Sequence, residues 1–136
     1  MLRTASTRRA VAGFTLIELM VVVALISVLA GMGVVMYRNS IKRTQEAVLR
    51  EDLFRMRDAI DQYYADKAKY PASLEALVSD GYLRQIPVDP ITNSRETWIT
   101  VPSEPDPGDP TAEVGIFDVK SGAEGNSIDG SLYADW

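Results

Sequence analysis

The sequence predicts an α+β protein: a long N-terminal helix, apolar in its first half and amphipathic in its second, packed on a small antiparallel sheet. Three observations lead there. Residues 14–37 form an apolar run in which Glu18 is the one ionisable side chain before Tyr37. Beyond that run, apolar residues keep a helical spacing, and the β-branched segments come late in the chain.

The leader ahead of the run, residues 1–13, carries Arg3, Arg8 and Arg9 and no acid. Such charge holds an N-terminus on the cytoplasmic side, which puts the rest of the chain outside. A secretory signal peptide has the same basic start but a shorter apolar core and a small-residue cleavage site. Here the apolar segment, as a helix rising about 1.5 Å per residue, spans roughly 36 Å, enough to cross a bilayer core. About a hundred residues are left for one small soluble domain.

A plain anchor has no use for Glu18. An acid within a membrane helix costs on the order of 3 kcal/mol, less near an interface, and marks a partner or a function. A cut between Gly13 and Phe14 would create an ammonium one helical turn from this carboxylate, and the two would attract strongly in a low-dielectric setting, within one chain or between neighbours.

The residues Gly13-Phe14-Thr15-Leu16-Ile17-Glu18-Leu19 and the apolar run behind them resemble the class III signal of type IV pilins and type II secretion pseudopilins. The resemblance implies that a prepilin peptidase cuts after Gly13 and methylates Phe14, and that Glu18 serves assembly. Many relatives have a proline late in the apolar half. This chain has Gly31 and Gly33 instead, which either soften the helix, at about 1 kcal/mol each relative to alanine, or allow close helix packing.

Composition narrows the chemistry. There is no cysteine and no histidine, so thiolate nucleophiles, disulfides, Cys/His zinc sites and the usual neutral-pH base are excluded. The formal charge is −5; with three of the 14 basic residues and none of the 19 acids in the leader, the remainder carries −8. That balance argues against nucleic-acid binding. Acid pairs such as Asp58 and Asp61 sit at helical spacing on a charged face, so no enzyme is expected.

After Tyr37 the stripe Leu49, Leu53, Met56, Ile60 and Tyr63 or Tyr64 extends the helix to about residue 66, with an i,i+4 pair expected between Glu46 and Arg50. Tyr70-Pro71 ends it. Ser73 is placed to cap a short helix over 74–79, closed by Asp80-Gly81. Residues 82–90, with two prolines, read as an extended loop along the helix. Strands are expected at 97–101 and 114–119, with a weaker third at 132–136, and an exposed acidic, proline-rich loop over 102–110. The domain plan is therefore leader 1–13, apolar membrane and filament-core helix 14–37, and a soluble domain 38–136. That domain comprises an amphipathic helix 38–66, loop and short helix 67–96, and sheet with C-terminal loop 97–136.

Tyr63-Tyr64, Tyr70-Pro71, Leu74 to Leu77, Gly81-Tyr82-Leu83 and Ile86 to Pro90 are, in that order, similar to the globular domain of the major pseudopilin of type II secretion. The likeness implies a self-polymerising subunit of a periplasmic filament that drives protein export. The same likeness implies anchoring in the bacterial inner membrane and, as partners, prepilin peptidase, an inner-membrane assembly platform and minor pseudopilins. The major pilin of a type IV pilus is the alternative, and a simple membrane-anchored binding module or enzyme, with the leader match accidental, is a more distant one. Hard cations take six to eight oxygens, and Ser121, Glu124, Asp129 and Asp135 with local carbonyls offer some in a glycine-rich turn. The corresponding family loop binds calcium, although Glu124 here stands where aspartate is usual.

Overall fold

The computed structural model describes residues 13–105, 107–109, 111 and 113–136. It contains α1 (Leu16–Lys67), α2 (Leu74–Ser79), β1 (Ile99–Pro102), β2 (Ile116–Lys120) and a 3-10 turn at Tyr133–Asp135. The chain divides into two compact units between Arg38 and Asn39.

In the first unit, every described residue from Gly13 to Arg38 is exposed. An 18-residue window of α1 reaches a mean hydropathy of 2.7, so the helix is long and apolar enough to cross a membrane. It begins at Leu16, since the Thr15 hydroxyl accepts the Glu18 amide at 3.2 Å and so caps the first turn. Gly31 and Gly33 lie within helical backbone.

In the second unit, α1 buries Leu49, Leu53, Met56, Ala59, Ile60 and Tyr63 against Leu74 and Leu77 of α2 and against Trp98, Ile116, Val119, Ala123 and Tyr133. Spacings of three and four put these α1 residues on one face, and their burial supplies the main stabilisation. Tyr63, not Tyr64, belongs to the core; Tyr64 is half-exposed and stacks on Tyr70 with ring centroids 4.5 Å apart. α1 ends where Ala68 turns left-handed (φ 55°), ahead of Tyr70-Pro71.

α2 is capped as its sequence suggests: the Ser73 hydroxyl accepts the Ala76 amide, and Asp80 closes the helix. Gly81 follows at φ +84°, a region where a side chain would be strained. The following loop, residues 82–88, has no regular structure.

β1 and β2 pair antiparallel, with Ile99 opposite Lys120 and Val101 opposite Asp118, and an irregularity between Val101 and Pro102. The third strand expected at 132–136 does not form. A single bridge joins Asn126 to Leu132, after which Asp135 and Trp136 donate their amides back to Leu132 and Tyr133. Within this turn Tyr133 points inward and its hydroxyl bonds Glu46 of α1. Gly122 passes so close to β1's approach that a Cβ there would stand 2.0 Å from the Thr97 carbonyl oxygen.

Candidate functional site: the helix head and the C-terminal loop

The helix head is built by local chemistry. Gly13 and Phe14 precede α1, both exposed, and nothing lies within 4 Å of where a Gly13 side chain would begin. Glu18 sits in the first turn, with its amide on the Thr15 hydroxyl. A carboxylate there also meets the positive end of the helix dipole. Thr15-Leu16-Ile17-Glu18 has the spacing of a capping box, a sequence signal that the charge argument alone overlooks. The Arg3, Arg8 and Arg9 leader lies outside the described residues apart from Gly13.

The C-terminal loop is fastened by a row of charged residues on α1. Lys42 Nζ donates to the Asn126 carbonyl at 2.9 Å. Glu46 Oε1 accepts the Ile128 amide and the Tyr133 hydroxyl, each at 2.9 Å. Burial first, and then this bond, push the Tyr133 hydroxyl up to about 12. Arg50 approaches Asp129 at 3.4 Å and lies 4.2 Å from the centre of the Trp136 ring. Arg57 donates to Asp118 at 2.7 Å and to the main-chain oxygens of Val119 and Trp136. The i,i+4 pair expected between Glu46 and Arg50 is thus replaced. Glu46 is buried against backbone and tyrosine, whereas Arg50 turns to the loop, because a buried hydroxyl and a part-buried amide outweigh a solvated ion pair.

The four residues named for calcium are engaged or apart. Ser121 is buried; its hydroxyl donates to Asp89 at 2.5 Å and accepts the Ala123 amide. Asp129 accepts the hydroxyls of Ser127 and Ser131 and the Ser131 amide, and these bonds, with Arg50 as a lesser cause, hold its carboxyl well below the usual range. Glu124 is exposed, and Asp135 lies exposed in the 3-10 turn. Among the described residues no three histidines, cysteines or acids gather to hold a metal. The donors as arranged therefore do not fit an oxygen cage.

Asp89 is the site residue that sequence reasoning passed over. It is fully buried, accepts the amides of Ile91 and Thr92, and takes the Ser121 hydroxyl on its second oxygen. An Asp-Pro pair reads as a turn, and its Asx bonds are that turn's usual chemistry. Burial is what the pattern does not reveal.

An exposed apolar helix, headed by a capped glutamate and followed by a small α+β unit, defines a pilin-like membrane subunit. The family described as the prokaryotic N-terminal methylation motif matches residues 8–34. The type II secretion system core protein G of Pseudomonas aeruginosa is 36% identical over 102 residues, covering 63% of this chain and 72% of that protein. Its counterpart in Vibrio cholerae is 28% identical over 140 residues, covering 91% of this chain and 90% of that protein. The fimbrial protein EcpC of Eikenella corrodens is 33% identical over 81 residues, covering 56% and 53%. No solved structure matches the chain. The chain belongs to the type II secretion system core protein G family, the major pseudopilins.

Proposed function

We propose that the chain is a structural subunit, cut after Gly13 and methylated on the new Phe14 amine by a prepilin peptidase, that polymerises into the pseudopilus of a type II secretion system. The observation that carries this reading is the Gly13-to-Glu18 signal at the head of a helix whose apolar half is exposed among the described residues. Before assembly, lipid covers it, with the N-terminus cytoplasmic and residues 39–136 in the periplasm. In the filament, neighbouring helices take the place of lipid, and Glu18 pairs with a Phe14 ammonium instead of remaining an unpaired charge. The subunit catalyses no reaction. An inner-membrane platform and minor pseudopilins are its partners in assembly.

Co-expression with a prepilin peptidase tests this. The expected mass loses residues 1–13 and gains one methyl group, and Gly13→Ala abolishes the shift. Glu18→Val is expected to be processed but to assemble poorly. An unshifted wild-type mass would overturn the processing step, and normal filaments from Glu18→Val would overturn the charge pairing.

A further inference from the structure

The C-terminal loop carries oxygens of the kinds that hard cations take, namely carboxylate, hydroxyl and main-chain carbonyl. The fold gives them other partners. The Gly125 carbonyl accepts the Tyr133 amide, the Ser127 carbonyl the Gly130 amide, and the Ser131 carbonyl the Ser127 amide. The Gly130 carbonyl accepts the side-chain amide of Asn126 at 3.2 Å. One carboxylate oxygen of Asp129 takes the hydroxyls of Ser127 and Ser131 and the Ser131 amide.

Two oxygens point away from this internal bonding, and α1 meets each with a positive side chain. Lys42 Nζ donates to the Asn126 carbonyl at 2.9 Å, and the Arg50 guanidinium faces the second oxygen of Asp129 at 3.4 Å. Lys42, Glu46 and Arg50 stand four residues apart, so they form one row along the helix. Further along α1, Arg57 holds the Trp136 main-chain oxygen. Of the three carboxylates between Ser121 and Trp136, Glu124 and Asp135 are exposed and bond none of these groups. A divalent ion approaching Asp129 therefore meets like charge at Arg50 and Lys42, and it gains one carboxylate only by displacing that carboxylate's bonds.

We propose that α1 supplies the cations of this loop: Lys42 and Arg50 close residues 126–133 with the chain's own charge, and the closure is independent of calcium. A subunit built in this way keeps its C-terminal loop closed in a medium stripped of divalent ions. The proposal concerns residues 39–136 and does not depend on the filament reading.

Hydrogen exchange of the full chain in detergent reads the closure at the Ser127 and Ile128 amides, which bond Ser131 and Glu46. Wild-type protection is expected to agree within about two-fold between millimolar EDTA and millimolar calcium. Lys42→Met combined with Arg50→Met keeps the length of both stems and removes both charges. It is expected to lower that protection about ten-fold while the near-ultraviolet circular dichroism stays as in the wild type. Lys42→Arg combined with Arg50→Lys keeps the charges and is expected to stay within about three-fold of the wild type. Wild-type protection that collapses in EDTA or rises saturably with calcium would overturn the proposal and make the loop a calcium site, a comparison that needs no variant to fold. Undiminished protection in the double methionine chain would overturn it as well, since the internal bonds would then close the loop alone. If the double methionine chain does not fold, the charge-keeping chain decides: protection near the wild type supports closure by charge, and its loss overturns it.

Discussion

Replacing Glu46 with alanine removes the acceptor by which α1 holds the C-terminal loop. Glu46 is 7% exposed, and its Oε1 takes both the Ile128 amide and the buried Tyr133 hydroxyl at 2.9 Å. Each donor left without an acceptor costs about 1–3 kcal/mol. Water reaches the partly buried Ile128 amide more readily than the tyrosine, so the expected sum is about 3 kcal/mol. For a unit of about a hundred residues, each kcal/mol moves the midpoint by roughly 4–8 °C, which predicts a fall of about 12–24 °C. Glu46→Gln keeps an oxygen in place and is expected to cost about 1 kcal/mol. Thermal unfolding of the full chain in detergent, followed by near-ultraviolet circular dichroism, reads the loss. Hydrogen exchange at Ile128 locates it. A loss below about 1 kcal/mol with unchanged Ile128 protection would refute the reasoning.

Other outcomes follow from the same geometry. Gly122→Ala forces a Cβ onto the Thr97 carbonyl and is expected to destabilise by about 1–3 kcal/mol, measured by urea unfolding. Tyr133 has its folded-state pKa raised to about 12 from an ordinary value near 10. Its contribution is therefore fully present below pH 10 and is lost as pH climbs toward 12; Tyr133→Phe should remove that part of the alkaline slope in denaturant titrations. With Asp129 and Ser121 already engaged, millimolar calcium is expected to leave the melting temperature within about 1 °C. A saturable rise would show that the loop rearranges around the ion.

Local signals made much of the fold legible. Hydropathy marked the first half of α1, three- and four-residue spacing marked its buried stripe, and Ser73 with Asp80-Gly81 framed α2. What escaped depends on partners distant in sequence. Helical spacing alone pairs Glu46 with Arg50, but Ile128 and Tyr133 arrive from 82 and 87 residues away and claim the carboxylate. The β-like composition of 132–136 yields instead a 3-10 turn at Tyr133–Asp135, with Tyr133 buried and its hydroxyl on the distant Glu46. Tyr63 and Tyr64 were inseparable until the core chose one. Of the residues offered to calcium, Asp129 accepts two hydroxyls and an amide from its own loop, and binding of the ion is decided by the titration above.

Of the two arginines that reach the end of the chain, Arg57 should matter more. The Arg50–Asp129 pair is exposed on both sides, 59% and 61%, and such pairs contribute about 0.2–1 kcal/mol, with a similar gain from a cation over an aromatic ring. Arg57 and Asp118 are 38% and 28% exposed, and the same guanidinium also holds two main-chain oxygens at 3.0 and 2.9 Å. One planar fork thus ties β2 and the C-terminal segment to α1. A lysine ammonium, a point charge on a flexible stem, cannot span all three acceptors. Arg57→Lys is therefore expected to lose about 1–2 kcal/mol, and Arg50→Lys less than about half of one. Salt separates the two further: 1 M sodium chloride should erase the small Arg50 effect and leave most of the Arg57 loss, because the main-chain bonds are not screened as an exposed ion pair is. Equal losses in both variants would mean that the ring and Asp129, not the main-chain oxygens, secure the C-terminal segment.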